Sequence, residues 1–243
     1  MVMEKSKLER FITKYNIGGA CESVKYVSDG TEITVRSISD DKNVLAEIIG
    51  HDMGFPEGEF SIYETKKLRS LLGVLGDNLK VAPNKSNGKT IGLHLSDSDT
   101  KVAFVLADES VIPKVPDLKK LPPAEVEIKL DEKFINTFAR AKGALSEVDT
   151  FAVTSTGEGT EATVVIGHST LNTNRVNIKA NTKTNGKLEH ISFSANYLKE
   201  ILLANKEIKD GVLKVSSKGL AVAEFSGEGF TTKYYLVQID TKD

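Results

Sequence analysis

The sequence predicts an α+β protein with two similar domains, each with two helices packed on antiparallel sheets. Four segments have the apolar spacing of amphipathic helices, short β-type stretches lie between them, and this order of elements occurs twice. The 243 residues suffice for two domains of about 120 residues each or for one large domain. With 40% hydrophobic and 27% charged residues, the composition is typical of a soluble, core-forming chain.

The first predicted helix spans about residues 5–16. Its apolar residues recur at i, i+3, i+4 and i+7, as on one helical face: Leu8, Phe11, Ile12 and Tyr15. Its basic residues recur on a different face: Lys7, Arg10 and Lys14. A stripe of like charge is either ordinary solvated surface or a surface that faces a negatively charged partner.

Three further helices are predicted over residues 62–76, 131–145 and 195–205. Each again has one apolar face, formed in turn by Leu68, Leu71, Leu72 and Leu75, by Phe134, Phe138, Ala141 and Leu145, and by Leu198, Ile201 and Leu202. Asp131 and Ser194 are predicted N-caps, because their short side-chain oxygens can accept hydrogen bonds from the first helical turn.

Short stretches with β-branched residues and alternation lie between the helices, such as "EITVRSI" and "TIGLHLS" in the first half and "RVNIKAN" and "KYYLVQID" in the second. Turn signals separate them, among them "SDGT", "KSNGK", "GEGT", "KTNGK" and "KDGV". This pattern indicates antiparallel hairpins and meanders.

The two halves of the chain repeat the same order of elements. Residues 9–27 align with 132–153, and residues 60–72 align with 193–203, at low identity. A segment with four prolines, residues 107–128, separates the halves and is predicted to be extended. We therefore predict an N-terminal domain over 1–108, a connector over 109–128 and a C-terminal domain over 129–243.

The basic residues are concentrated in the helices. The formal net charge is −2, yet residues 5–16, 61–76, 132–145 and 195–207 together hold 12 basic and 5 acidic residues, against 20 and 29 in the rest of the chain. Lysine and arginine are good helix formers, so one basic helix needs no further explanation. Several basic helices beside an acidic remainder also fit a surface that attracts nucleic-acid phosphates without sequence preference.

Signatures of catalysis are absent from the sequence. The four histidines lack metal-ligand spacing: His51, His94, His168 and His190. "GEGT" (157–160) and "SGEGF" (226–230) lack the spacing of a phosphate loop and are predicted to be hairpin turns, while "HD" at 51–52 is predicted to lie in a loop or at the surface. We expect a protein without enzymatic activity, cofactor or metal.

The sequence also bears on the compartment. Cys21 is the only cysteine, which excludes an intrachain disulfide and favours a reducing compartment. No apolar run reaches the roughly 20 residues of a membrane span, and the N-terminus lacks the pattern of a secretion signal. We expect a cytoplasmic protein with no membrane partner.

Two other non-catalytic functions fit parts of this pattern. One is a β-rich assembly protein, such as a phage structural subunit, in which the repeat reflects oligomer packing. The other is a single-stranded nucleic-acid-binding module, which needs aromatic residues interleaved with lysines on a strand face. Tyrosines stand near lysines in "KYVSDG" and "KYYLVQID", but the basic residues are concentrated in helices and tryptophan is absent.

The chain resembles the sliding clamps of T-even-like bacteriophages, the ring-shaped processivity factors of the replicative DNA polymerase. The resemblance covers nearly the whole chain and is clearest in "FSIYETKKLRSLLGVLGDNLKV" (60–81), the proline-rich connector and "GLAVAEFSGEGFTTKYYLVQID" (219–240). It implies a closed ring of six domains, with helices inside and sheets outside, and therefore a homotrimer of this two-domain chain.

The resemblance also implies which residues bind double-stranded DNA. These would be the basic residues of the helices: Lys7, Arg10, Lys14, Lys66, Lys67, Arg69, Lys133, Arg140, Lys142, Lys199 and Lys206. Lys142 and Lys206 lie nearer the apolar faces of their helices. The fourth helix departs from the pattern, because Glu200 and Glu207 cancel its positive charge.

Its other implications concern protein partners. Partner peptides would enter an apolar pocket formed by Ile112, Val115, Leu118, Leu121, Tyr235 and Val237; Tyr235 and Val237 would otherwise be ordinary inward-facing strand residues. Subunits would meet through edge strands at 101–107 and 174–182, with interface residues Lys101, Val102, Phe104, Val105, Arg175, Val176 and Ile178. The implied partners are the replicative DNA polymerase, a clamp loader and late-transcription factors, in the cytoplasm of a host cell.

Overall fold

A computed structural model describes residues 2–118, 120–157, 161–167 and 174–239 of the chain. The α-helices within these ranges are α1 (Lys5–Asn16), α2 (Thr65–Leu72), α3 (Glu132–Ala144) and α4 (Ala195–Ala204). The strands are β1 (Val2–Glu4), β2 (Val24–Ser28), β3 (Ile33–Ile38), β4 (Val44–Gly50), β5 (Gly58–Ile62), β6 (Asn78–Ser86), β7 (Lys89–Ser96), β8 (Lys101–Val105), β9 (Val126–Lys129), β10 (Thr150–Ser155), β11 (Glu161–Ile166), β12 (Val176–Thr184), β13 (Leu188–Ser194), β14 (Gly211–Ser216), β15 (Leu220–Gly227) and β16 (Phe230–Val237).

The chain divides into two compact units. The first comprises residues 1–40, 46–116 and 229–232, and the second comprises residues 41–45, 117–228 and 233–243. Each unit therefore takes in a short segment that is remote in sequence from the rest of it. The domain boundaries that we predict from the sequence stay a prediction.

The strand order confirms the internal repeat. The first half of the chain has the orders β1-β6-β7-β8 and β5-β2-β3-β4, and the second half has β9-β14-β15-β16 and β13-β10-β11-β12. Adding eight to each strand number of the first half gives the second half. Neighbouring strands such as β6 and β7, or β10 and β11, are antiparallel. The expected α+β class with antiparallel sheets and four helices is therefore confirmed.

Two buried tyrosines pack together in the core of the first unit. The Tyr15 and Tyr26 rings lie 5.6 Å apart and their hydroxyl oxygens 2.6 Å apart. The Thr65 hydroxyl, at the start of α2, lies 3.1 Å from the Tyr15 hydroxyl. Burial raises the pKa of Tyr15 and of Tyr26 well above the usual tyrosine range. Both hydroxyls are therefore held protonated inside the unit.

The core of the second unit is built on phenylalanines. Phe138 of α3 packs on Phe134 and Phe151, with ring centroids 6.0 and 5.5 Å apart, and Phe151 lies 5.7 Å from Phe193. The predicted N-caps are confirmed in this unit, since Asp131 accepts a hydrogen bond from the Phe134 backbone amide at 2.8 Å and Ser194 accepts one from Tyr197 at 3.2 Å. Both helices start where the sequence predicts.

Two predicted segments differ from the structure. The second helix is shorter than predicted, because residues up to Ile62 belong to β5 and the last α-helical hydrogen bond is donated by the Gly73 amide to the Arg69 oxygen. The Val74 and Leu75 amides donate instead to oxygens three residues back. The segment 107–128 is not extended throughout. Glu109–Val111 form a 3₁₀ turn that is capped by the Asp108 carboxylate, and the last residues enter β9, which lies between β12 and β14. The prolines precede β9, so its backbone amides remain available for pairing.

Several predicted turns are confirmed as hairpins. "SDGT" and "KSNGK" join the antiparallel pairs β2–β3 and β6–β7. "KTNGK" joins β12 to β13 but is not a hairpin turn, because β12 lies between β11 and β9 and β13 pairs with β10. "SGEGF" joins β15 to β16, and both Glu228 and Gly229 have positive φ, as a tight two-residue hairpin turn requires. "KDGV" instead leads from α4 into β14. Residues 158–160 of "GEGT" lie outside the described residues.

Within the described ranges, none of the helices combines the length and the apolar character that crossing a membrane takes.

Candidate functional site

The basic stripe of α1 is only partly exposed. Lys7 and Arg10 are half-buried. The Lys7 ammonium donates a hydrogen bond to the Asp52 backbone oxygen at 2.8 Å, and the Arg10 guanidinium lies 5.4 Å from the centre of the Phe230 ring. These contacts orient both cations, since each fixes the end of a long side chain.

Lys14 does not belong to the exposed basic stripe that the sequence predicts for α1. Its side chain is 0% exposed, and its ammonium lies 4.9 Å from the centre of the buried Phe230 ring. A cation over an aromatic face is stabilised by the ring electrons, which lowers the cost of its burial. Phe230 is remote in sequence from α1, so helical spacing could not reveal this contact. Lys14 is therefore not available to contact a phosphate in this structure.

The basic residues of α2 are all at the surface. Lys66, Lys67 and Arg69 are exposed, whereas Leu68 and Leu72 on the other side of the helix are buried. α2 thus presents three positive charges over eight residues.

The basic residues of α3 divide into two groups. Lys133 and Arg140 are exposed. Lys142 is 4% exposed, and its ammonium donates hydrogen bonds to the backbone oxygens of Leu145 and Ser146 at 3.4 and 2.9 Å. It stabilises the two carbonyls that directly follow Ala144, the last residue of the helix. Lys142 is thus a buried C-terminal cap, which corrects its expected place on the DNA-binding surface.

The fourth helix carries little exposed positive charge. Lys199 is half-buried, and its ammonium lies 3.8 Å from the Glu200 carboxylate. Lys206 is exposed but follows the last residue of α4, Ala204. The departure of this helix from the basic pattern is therefore visible in the structure as well.

A pocket of about 410 Å³ opens on the sheet of the second unit, beside the connector. Leu121 and Pro122 form one wall, and Leu220 and Val222 form another. The Glu224 carboxylate lies between the ammonium groups of Lys214 and Lys233, at 2.6 and 2.8 Å. Burial acts to raise the pKa of Glu224, but the hydrogen bonds from both lysines outweigh it and lower the pKa. The sequence patterns do not reveal that Lys214, Glu224 and Lys233 are neighbours, because these residues lie on three different strands.

The predicted partner-pocket residues do not all line this pocket. Leu121 lines the pocket, and Tyr235 is buried beside it under Lys233, whose ammonium lies 5.5 Å from the ring centre. Leu118 and Val237 are exposed, at 42% and 46%. Ile112 and Val115 are half-buried residues of the first unit. Only part of the predicted set is therefore brought together at this pocket.

The predicted interface strands both have an open edge. β8 is the last strand of its sheet, with Val102 and Phe104 buried and Lys101 and Val105 exposed. In β12, residues 176–181 pair with β11 and residues 182–184 pair with β9. Among the described strands, nothing pairs with the second edge of 176–181, beside which lie the predicted residues Arg175, Val176 and Ile178.

Two of the histidines, His51 and His190, lie within hydrogen-bonding distance of neighbouring side chains. His51, in the loop after β4, lies with its ring nitrogens 2.7 Å from the Glu32 carboxylate and 2.9 Å from the Thr231 hydroxyl. His190 lies 3.0 Å from the Ser192 hydroxyl, and Cys21 is buried. His168 lies outside the described residues. In the part of the chain that the structure describes, no three His, Cys, Asp or Glu side chains are grouped as a metal site would need.

No protein-family model and no curated protein sequence matches the chain. Solved structures do match its fold. One is the proliferating cellular nuclear antigen of Entamoeba histolytica, with a TM-score of 0.74 and 16% sequence identity, over 98% of each chain. The fold is that of a PCNA-type sliding clamp. At this identity the likeness shows the fold alone, so function has to be argued from the surface of this chain.

Proposed function

We propose that this chain is a DNA sliding clamp, which encircles duplex DNA and tethers a replicative DNA polymerase, as the resemblance to the clamps of T-even-like bacteriophages implies. The observation that carries the proposal is the exposed positive charge on the helices of a clamp fold. Its exposed members are Lys66, Lys67, Arg69, Lys133, Arg140 and Lys206, with Lys7, Arg10 and Lys199 half-buried.

Such a surface would hold DNA without reading its sequence. Lysine and arginine contacts to phosphates carry no base information, so a ring that makes only such contacts can slide. Processivity then comes from tethering, because a bound polymerase stays at a high effective concentration near the primer end. No catalytic step and no cofactor is needed for this function.

Ring closure would require three copies of the chain. The repeat supplies two clamp-type halves per chain. A head-to-tail contact, in which β8 of one copy meets β12 of the next, would close on itself as a homotrimer. Covering these open edges would also protect them from non-specific pairing.

Protein partners would dock beside the connector. The pocket between Leu121 and the outer sheet face of the second unit has apolar walls and charged groups, as a short peptide requires. We propose it as the site for peptides of the polymerase, a clamp loader and late-transcription factors. A truncation of the apolar wall, Leu121→Ala with Leu220→Ala, should weaken the binding of such peptides.

Solution mass tests the ring. Light scattering over a range of concentrations should show a species of about 79 kDa, three times the 26.4 kDa of one chain. A trimer that dissociates on dilution also fits. A chain that stays monomeric, or a dimer at high concentration, would contradict ring closure.

Duplex binding tests the helical surface. Alanine at Lys66, Arg69 and Arg140 should weaken binding to duplex DNA and leave the mass unchanged, because all three side chains are exposed. Unchanged DNA binding by a correctly associated variant would favour a structural subunit instead.

A further inference from the structure

The tip of the β15–β16 hairpin belongs to the first unit. Residues 229–232 are part of this unit, together with α1 and the loop after β4. The first three of them, which we call the hairpin tip, contact α1 or that loop: Gly229, Phe230 and Thr231. The hairpin tip is therefore a neighbour of the first helix, although the two are remote in sequence.

His51 holds the hairpin tip on both sides of Phe230. The His51 amide donates a hydrogen bond to the Gly229 backbone oxygen at 2.9 Å, and a His51 ring nitrogen lies 2.9 Å from the Thr231 hydroxyl. The other ring nitrogen lies 2.7 Å from the Glu32 carboxylate. Because one residue holds both sequence neighbours of Phe230, the ring between them has little freedom to shift.

The Phe230 ring lies close to two cations of α1. The Arg10 guanidinium lies 5.4 Å from the ring centre, and the Lys14 ammonium lies 4.9 Å from it. Phe230 and Lys14 are buried, whereas Arg10 is half-buried. Arg10 is therefore the member of this group that can reach a ligand outside the protein.

The same region orients Lys7. The Lys7 ammonium donates to the Asp52 backbone oxygen at 2.8 Å, and Asp52 directly follows His51. The Lys7 side chain also passes close to the hairpin tip, because a Cβ atom at Gly229 would lie 3.5 Å from the Lys7 Cε atom. Lys7 and Arg10 are thus held by one loop and one hairpin tip, which His51 joins.

These contacts leave both cations able to bind a phosphate. A cation–π contact uses the charge of the guanidinium and none of its N–H donors, so Arg10 can stay on the ring while it donates to a phosphate. An ammonium has three donors, and the bond from Lys7 to Asp52 uses one of them. A long side chain that is already held in one orientation loses less rotamer freedom when it binds, which strengthens binding.

We propose that Phe230 is a positioning residue for duplex binding, which holds Arg10 in the orientation that meets a DNA phosphate. His51 supports this role because it fixes the hairpin tip and precedes the oxygen that holds Lys7. The inference rests on the duplex binding in the proposed function. It adds residues of the C-terminal hairpin that act on DNA through α1.

Fluorinated phenylalanine at position 230 tests the assignment. One, two or three ring fluorines weaken the negative potential of the ring face and leave the ring size nearly unchanged, so the core stays filled. The affinity for a short linear duplex at fixed low salt should fall stepwise, by about two- to fivefold for the trifluorinated ring. The slope of log K against log salt should stay the same, because Arg10 keeps its charge and its phosphate contact.

The Arg10→Gln variant shows whether the effect passes through Arg10. By itself it should weaken duplex binding and reduce the slope by about 0.9, as expected for one lost phosphate contact. In that background, fluorination at position 230 should have no further effect on affinity. A loss of the same size in both backgrounds would mean that the ring acts through the fold or through Lys14, and would overturn the inference.

Phe60 provides the matched control, because its ring is equally buried in the same unit and packs edge-on against Phe55, with centroids 5.3 Å apart. Trifluorination at position 60 should leave duplex affinity unchanged, and an equal loss there would also overturn the inference. Circular dichroism and light scattering confirm that each protein is folded and associated as wild type is.

The wild-type protein separates this inference from the proposed function. If wild type binds the duplex and fluorination at position 230 does not weaken binding, this inference is overturned and the proposed function stands. A wild type that binds no duplex overturns both.

Discussion

Helices α2 and α4 occupy the same place in the two halves of the chain and differ mainly on their exposed sides. Both bury leucines on one face, Leu68 and Leu72 in α2 and Leu198 and Leu202 in α4. α2 exposes three basic residues, whereas Lys199 of α4 is half-buried next to Glu200. The two helices thus share the buried leucines that the core requires but differ in surface charge. If the chain binds DNA, the contacts should be concentrated on the helices other than α4.

The cores differ in a similar way. Tyr15 in α1 and Phe138 in α3 hold matching positions of the repeat, and both are fully buried. Tyr15 brings a hydroxyl into a hydrogen-bonded network, while Phe138 packs only against other rings. At this position the first unit therefore has hydrogen bonds to lose and the second unit has ring contacts; the buried hydrogen bond of the second unit lies elsewhere, from Asn205 to the Tyr234 hydroxyl.

Phe138→Ala should have the largest effect on stability. Removing this buried ring should lower the free energy of unfolding by about 3–5 kcal/mol, through lost apolar contacts and the cavity left behind. Urea unfolding followed by circular dichroism measures the change. Asn136→Ala, at an exposed position of the same helix, should stay within about 0.5 kcal/mol. Equal losses in both variants would mean that Phe138 is not a core residue.

The comparison of α2 with α4 predicts unequal effects on DNA binding. Alanine at Lys66, Lys67 and Arg69 should reduce the salt dependence of duplex binding, since each lost phosphate contact removes about 0.9 from the slope of log K against log salt. Lys199→Ala should change the slope much less, because Glu200 already offsets its charge. Titrations at several salt concentrations measure both. A larger effect for Lys199 would reverse the assignment of the two helices.

Tyr15→Phe should cost about 1–3 kcal/mol, because it leaves the buried Tyr26 hydroxyl without its Tyr15 partner. A raised tyrosine pKa also predicts pH dependence. The unfolded chain releases these protons near pH 10 and the folded chain holds them, so the stability that the two tyrosines contribute should be constant below about pH 10 and fall above it. The fall should be shallower in the variant. Tyr63→Phe, at a 51% exposed position, should change neither property.

Helix capping should give the smallest effect. Asp131→Ala should destabilise the protein by about 1 kcal/mol, because the Phe134 amide loses its acceptor, and Asp131→Asn should retain most of the stability. Glu4, at the matching position before α1, makes no side-chain cap hydrogen bond. Glu4→Ala should therefore stay within about 0.5 kcal/mol. Thermal unfolding of the three variants compares the two helix starts.

The sequence predicts well what depends on local spacing. The start and end of α1, the caps at Asp131 and Ser194 and most hairpin turns follow from short-range patterns. The repeat is recovered because two halves with the same order of elements fold alike. The predicted length of α2 is too great, because the apolar spacing continues into residues that belong to β5 and to the turns after the helix.

Contacts that are remote in sequence limit what could be predicted of the candidate site. Lys14 has the right helical phase for the basic stripe, but Phe230 covers it from the other end of the chain. Lys142 lies in the last turn, where free carbonyls attract an ammonium group. The pocket beside Leu121 is made by side chains from several strands, which no single motif contains.

The first unit includes residues 229–232, and among them is Phe230, the ring beneath Arg10 and Lys14. A ribosome makes this ring only after residues 117–228 of the second unit. At about 5–20 residues per second, the rest of the unit waits on the order of ten seconds for its last piece. During synthesis, the N-terminal half therefore emerges with an unfilled site next to α1. The first unit is therefore completed only after the segment that carries Phe230 has been synthesised.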